Sequence, residues 1–428
     1  MMPLPRPLLA LLLSLLAFAP AIPAGAADAG RFEIPPTDDG LPGSGPIRRY
    51  DWFKKLWAEK REAWSKQVQA DRGAVVFLGD SITQGWGHDL GGSFPGLKAA
   101  NRGISGDTTR GILIRLADDV LSLNPSAIVL LIGTNDLEEK AEPETITANL
   151  KLILAAIREH ALKTRNAHLP VVLCQVFPSS ATMARPAASI RKINELYAAA
   201  VKGDPSITLV ETWPLFANAE GDAKPAEFPD LLHPNATGYA KWAAALRPIL
   251  ATLSFLETQH DDFQPEPGFV SLFNGRDLTG WGFLTNRFDG LVSSPEGRYV
   301  AKNGRLIVTT PPEGRRYQVL WTTREFPKDF VLKLEFRATP NADSGVFLRK
   351  PQLQCRDYSL AGPYKTLQKY RPQDWNELEV TVKGGSARCT CNGELLEAAY
   401  ALPATGPVGL EGDRGQMEYR RIRVQELP

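Results

Sequence analysis

A serine at the end of an apolar run, with an aspartate and a histidine three residues apart far downstream, supplies the groups of an acyl-transfer centre. Ser81 follows Val75-Val76-Phe77-Leu78-Gly79-Asp80, and the acid and base stand in Asp230-Leu231-Leu232-His233-Pro234. A hydroxyl is a weak nucleophile until a base takes its proton, and the base needs a partner that fixes its tautomer. Within a turn, Asp230 reaches one ring nitrogen of His233 and leaves the other for Ser81. The other histidines fit less well. His160 and His168 flank the end of a surface helix, His260 lies in a polar junction, and His88 has only the adjacent Asp89 to orient it.

The charge that develops on the carbonyl oxygen needs donors aimed in advance. The backbone N–H of Ser81, at a predicted helix start, is one candidate. The N–H of Gly106 in Gly103-Ile104-Ser105-Gly106-Asp107 and the side-chain amide of Asn135 in Gly133-Thr134-Asn135-Asp136 are the others. Asp80, beside the nucleophile, is a candidate substrate contact. Singly, each block has a plainer reading as a helix cap, a strand-to-helix loop or a turn. Jointly they carry nucleophile, oxyanion donors and an Asp/His pair in an order compatible with one sheet edge. This chemistry calls for no metal and no cofactor, and its partner is a small-molecule or polysaccharide ester. A Gly-x-Ser-x-Gly elbow around Ser81 is absent, which argues against an ordinary α/β-hydrolase.

The elements that must position these residues alternate. Ala74 to Leu78, Ala127 to Ile132, Pro170 to Phe177 and Ile207 to Val210 read as strands. Helical periodicity marks Tyr50 to Asp71, Thr108 to Leu123, Pro143 to Leu162, Ala187 to Lys202 and Thr237 to Leu253. In the first helix Trp52, Phe53, Leu56, Trp57 and Trp64 recur at near-helical spacing and read as core packing. Continuous Val, Ile and Leu runs bounded by helices predict a parallel sheet covered on both faces, an α/β fold that binds ligands at the carboxyl ends of its strands.

A chain of 428 residues with 43% hydrophobic and 23% charged side chains has room for more than one domain. The formal net charge of +1 gives no electrostatic case for nucleic acid or an anionic membrane. Arg6, the apolar run Leu8 to Phe18, Pro20 and Ala24-Gly25-Ala26-Ala27 read as a secretory signal over residues 1–27, with an uncleaved anchor as the alternative. The expectation is export to the periplasm or beyond, with no membrane span after cleavage. Residues 28–48 then read as a linker, 49–255 as the α/β domain and 256–267 as a second, polar linker. From 268 to 428 helical periodicity gives way to short alternating runs such as Phe330 to Arg337 and Glu377 to Val382. Asn303-Gly304, Gly384-Gly385 and Asn392-Gly393 punctuate them, which predicts a β-sandwich. Cys174 reads as a buried hydrophobe, whereas Cys355, Cys389 and Cys391 leave room for one disulfide. Oligomeric state is left open.

The blocks Gly79 to Ile82, Asn101 to Thr109, Gly133 to Asp136 and Asp230 to Pro234 resemble the four signature blocks of the GDSL/SGNH hydrolase superfamily. The branch they are most similar to is that of the platelet-activating-factor acetylhydrolase catalytic subunits. The resemblance implies a flavodoxin-like α/β/α sandwich and an esterase, often a deacetylase of carbohydrates or lipids. It assigns Ser81 as nucleophile, Gly106 and Asn135 as oxyanion donors, His233 as base and Asp230 as its orienting acid. From Gly268 to Leu427 the chain resembles the 3-keto-disaccharide hydrolase domain, a concanavalin-like jelly roll. The likeness rests on Phe269 to Trp281, Asp343 to Arg349, Trp375 to Val380 and Gly406 to Glu411. A glutamine is common in that family where Glu411 stands, and a histidine expected shortly after is missing. Among Trp281, Trp321, Tyr358, Tyr364 and Trp375, the first and last read as core. Trp321 and Tyr358, with Arg349, are the candidate sugar contacts, and Glu335 and Asp357 are further candidates for lining a polar cleft. The alternative function is a carbohydrate-binding protein or glycoside hydrolase acting through the sandwich, with the esterase half secondary.

Overall fold

The computed structural model describes residues 30–164, 169–309 and 319–428; the expected signal over residues 1–27 lies outside them. The first half is built on a five-stranded parallel sheet. Its strands are β1 (Val75–Gly79), β2 (Ala99–Gly103), β3 (Ala127–Leu131), β4 (Val171–Cys174) and β5 (Ile207–Val210), in the spatial order β2-β1-β3-β4-β5. The helices are α1 (Asp51–Ser65), α2 (Val68–Asp71), α3 (Ser81–Gly85), α4 (Thr109–Asp119), α5 (Thr134–Glu138), α6 (Pro143–Lys163), α7 (Ala187–Val201), α8 (Trp213–Phe216) and α9 (Ala236–Thr252). Alternate residues of β1 feed opposite cores. Val76 and Leu78 join Ile112, Ile153 and Ile193 from α4, α6 and α7, whereas Val75 and Phe77 join Trp242, Leu246 and Ile249 from α9. Burial on both faces is why β1, β3 and β4 are continuously apolar.

Two readings of the sequence change here. β2 was not expected as a strand: Ala99-Ala100-Asn101-Arg102-Gly103, at one edge of the sheet, carries no branched aliphatic and so none of the usual strand signal. Gly103 ends it where a Cβ would lie 2.3 Å from the Gln84 nitrogen and 2.8 Å from the Asp80 oxygen, so a side chain here would push α3 off the sheet. The first helical segment divides into α1 and α2, and its aromatics divide too. Phe53, Trp57 and Trp64 are buried, but Trp52 is 53% exposed and does not serve the core.

The second half is an antiparallel sandwich. One sheet carries, in spatial order, Glu394–Ala401, Ser386–Cys391, Asn376–Lys383, Phe330–Ala338, Met417–Glu426, Arg305–Val308 and Tyr299–Lys302, with Val270–Ser271 beside Met417–Glu426. The other carries Gln352–Gln354, Gly345–Leu348, Val408–Leu410, Leu320–Thr322, Trp281–Phe283 and Asn286–Arg287. The Asn-Gly pairs do sit in hairpins, with Asn303, Gly304, Asn392 and Gly393 all at positive φ.

The junction read as a linker is fastened to the sandwich. Glu257 pairs with Arg305 and Arg337, Asp261 with Arg421, and Glu266 with Arg423. Across the same seam Arg305 and Lys302 donate to the carbonyls of Ala251 and Thr252, and Asn341 donates to Glu211. The disulfide expectation is corrected: Cys174, Cys355, Cys389 and Cys391 are all free and buried. They pack as small apolar groups in the two cores. Among the described residues no helix is long and apolar enough to cross a membrane.

Candidate active site

Ser81 opens α3, one residue beyond the end of β1. Asp80 caps this helix, its Oδ1 accepting the Ile82 N–H at 2.9 Å. It is fully buried, which removes it as a substrate contact. Burial pushes its pKa up to about 6, against the pull of the Ile82 N–H.

His233 arrives on the loop before α9. Asp230 Oδ1 accepts the backbone N–H groups of Leu232 and His233 at 3.0 and 2.7 Å, so the acid folds the turn that carries its own partner. Leu231, at φ 61, completes the bend, and the Ser179 hydroxyl holds its carbonyl at 2.8 Å. The result is a continuous chain: Asp230 Oδ2 lies 2.6 Å from His233 Nδ1, and His233 Nε2 lies 2.9 Å from Ser81 Oγ. Partial burial raises the Asp230 pKa, but the N–H groups of His233 and Leu232 outweigh it and hold the carboxyl below its usual range. An ionised carboxylate on Nδ1 leaves Nε2 free to accept a proton. His88 is exposed, and Asp89 caps Gly91 instead of orienting it.

The donor side is built by the loop after β2 and the turn after β3. Gly106 sits at φ +88, and a Cβ there would fall 2.7 Å from Trp52 and 3.0 Å from Arg48, so glycine is required twice over. Among the described residues, the N–H groups of Ser81 and Gly106 have no acceptor within the protein. Asn135 Nδ2 spends one hydrogen on the Asp107 carbonyl at 2.9 Å and keeps the other. Arg115, fully buried, pairs with Asp107 at 2.8 Å and donates to the carbonyls of Gly79 and Arg102, tying this loop to the ends of β1 and β2.

Arg185 was not anticipated from sequence. It donates to Asn135 Oδ1 at 3.0 Å, to the Thr134 carbonyl at 3.1 Å and to Glu138 at 2.7 Å, and is itself buried. Nothing local marks it, because its partners lie about fifty positions upstream.

Residues 77–241 match the model of the GDSL-like Lipase/Acylhydrolase family. The α1 subunit of bovine platelet-activating factor acetylhydrolase IB is 31% identical over 186 residues, which cover 42% of this chain and 75% of that protein. The chain belongs to the GDSL-like acylhydrolase family. The bovine α2 subunit is 28% identical over the same length. A solved GDSL-like lipase from Bacteroides thetaiotaomicron is 26% identical, covers 46% of this chain and 97% of its own, and has a TM-score of 0.38. Residues 268–425 match a 3-keto-alpha-glucoside-1,2-lyase-like domain, so the acylhydrolase half is joined to a second, sandwich domain.

In that sandwich two candidate sugar contacts are corrected. Arg349 is buried and donates to four main-chain carbonyls, those of Phe326, Lys328, Gly384 and Pro403, so it pins loops. Tyr358 is buried, its hydroxyl bonded to the Gln354 carbonyl. Of the polar candidates, Asp357 is buried in bonds to Ser359 and Gln373, and Glu335 is paired with Arg420 and Arg421. Trp281 is core, and Trp375 lies beneath Arg420, 4.0 Å from the ring. Trp321 differs: it is half-buried, lies across Gly409 and meets Phe347 edge-on at 5.3 Å. Glu411, just past the strand Val408–Leu410, accepts from the Gln352 amide, and burial pushes its carboxyl up to about 7.

Proposed function

We propose that this acylhydrolase is an exported serine esterase that removes acyl groups, chiefly acetyl, from carbohydrate, using Ser81, His233 and Asp230. Ser81 Oγ attacks the ester carbonyl as its proton passes to His233 Nε2, and Asp230 stabilises the imidazolium through Nδ1. The N–H groups of Ser81 and Gly106 and the free amide hydrogen of Asn135 receive the developing oxyanion. Collapse expels the alcohol, which takes the proton from His233. Water, deprotonated by His233, then attacks the acyl-serine, and collapse releases the acid and restores the hydroxyl. The observation that carries this reading is the unbroken 2.6 and 2.9 Å chain from Asp230 through His233 to Ser81.

Carbohydrate as the alcohol is supported by the attached domain, whose family is named for a glucoside. Export is supported by Arg6, Leu8 to Phe18 and the alanines before Asp28; the mass of the mature chain checks it. For the chemistry, Ser81→Ala lowers kcat on p-nitrophenyl acetate by on the order of 10⁴-fold or more while leaving the folded-state circular dichroism intact. Turnover retained by that variant would reject Ser81 as nucleophile.

A further inference from the structure

The large apolar side chains exposed on the described surface include two aromatics, Tyr50 and Trp52, each 53% exposed. They are neighbours. Their rings are nearly parallel, 9° apart in plane with centroids 6.4 Å apart. The pattern of α1 explains why they are left outside: Phe53, Trp57 and Trp64 take the inward face, and Tyr50 and Trp52 fall off it.

Their position is what gives them a use. Trp52 forms one wall of Gly106, close enough that a Cβ on the glycine would strike its ring. A ring resting on Trp52 is therefore beside the amide that faces the developing oxyanion. The platform has a polar fringe. The Tyr50 hydroxyl lies 3.4 Å from Glu139 Oε2, Arg48 Nε lies 2.7 Å from Glu139 Oε1, and Arg48 also pairs with Glu138. Buried Arg48 holds the two carboxylates in place, and flat apolar faces edged by carboxylates match a pyranose, which offers C–H groups on its face and hydroxyls around its rim. An acyl chain or a bilayer has no use for that fringe, and the acidic pair opposes an anionic lipid surface.

We propose that Tyr50 and Trp52 form a sugar-stacking subsite that holds a pyranose of the esterified glycan against the Gly106 side of the active site. This rests on the reading of Ser81 as the ester-hydrolysing nucleophile, and it places substrate selection on a segment that precedes the acylhydrolase match at residue 77.

The test compares kcat/KM on acetylated xylo- and gluco-oligosaccharides with kcat/KM on p-nitrophenyl acetate and on a long-chain p-nitrophenyl ester. Trp52→Ala is expected to lower the ratio of oligosaccharide to p-nitrophenyl acetate at least tenfold, through KM. Tyr50→Ala, which leaves the wall of Gly106 in place, shifts it in the same direction, and Trp52→Phe restores most of it. Equal losses on all substrates, an unchanged ratio, or a loss selective for the long-chain ester would each overturn the proposal. Calorimetry with the deacetylated oligosaccharides and Ser81→Ala protein supplies an arm independent of turnover. There the added Trp52→Ala must remove a binding step, and affinity unchanged or absent throughout overturns the subsite. If Ser81→Ala protein still turns over ester, the nucleophile reading falls while this arm still judges the platform.

Discussion

The amide of Asn135 stabilises an oxyanion only when its nitrogen faces the site, and a side-chain amide is free to turn over. Arg185 removes that freedom by donating to Oδ1, which an inverted amide would replace with an NH₂ facing a guanidinium. Holding Oδ1 also draws electron density from the nitrogen and makes its remaining hydrogen a better donor. Arg185→Ala is therefore expected to lower kcat on p-nitrophenyl acetate by roughly 10- to 100-fold with little change in KM, approaching the loss from Asn135→Ala. Steady-state kinetics on both variants checks this; a change confined to KM, or to melting temperature, would reduce Arg185 to scaffold. At this scale the sequence was readable where residues act through close neighbours. Asp230 and His233 share a turn, so their spacing carried their relation. Arg185 and Trp52 make their contacts across the fold, and helical spacing could not tell that Trp52 faces water.

At the scale of elements, the strands of the sheet's interior were legible because burial on both faces demands unbroken apolar runs. The edge strand β2 was not, since its small and polar side chains leave almost no apolar pattern, whereas β5 at the other edge keeps Ile207, Leu209 and Val210. The ends of β1 and β3 show what such a sheet edge costs. Asp80 and Asp136, fully buried where strands give way to α3 and α5, have carboxyls raised to about 6 and about 7 from the ordinary 3.8, chiefly by burial. In both, the folded pKa lies above the unfolded one. Their contribution to stability is thus complete below about pH 4 and is lost as pH rises through 6 and 7. Carboxyls held low by partners, such as Asp230 and Glu266, act in the opposite sense but have finished titrating by pH 5. Between pH 5 and 7.5 the melting temperature is expected to fall, and Asp136→Asn, whose amide oxygen can still accept from Thr109, should flatten that slope. Equal slopes in the two proteins, measured by thermal unfolding across that range, would show that Asp136 stays ionised throughout.

For the whole molecule, the division into two halves was legible from the change of periodicity near Gly268, but the way they are joined was not. A polar, proline-bearing junction reads as a loose tether, whereas its acids are the counterions of arginines on the sandwich. Glu257 is the centre of this seam, with Arg337 bridging it to the fully buried Glu418 at 2.6 to 3.0 Å. Burial works against the charge on Arg337, and the two glutamates more than compensate, raising its pKa. Removing one member of such a cluster costs far more than an exposed ion pair, because the remaining buried charge loses its partner. Arg337→Ala should destabilise by about 3–5 kcal/mol, and Arg337→Met with Glu418→Leu should recover much of it. Since the same residues clasp the junction and the end of α9, ester hydrolysis and tryptophan fluorescence should be lost together along a urea titration. Activity outlasting the fluorescence transition would mean that the halves unfold separately and that the seam only holds the sandwich together.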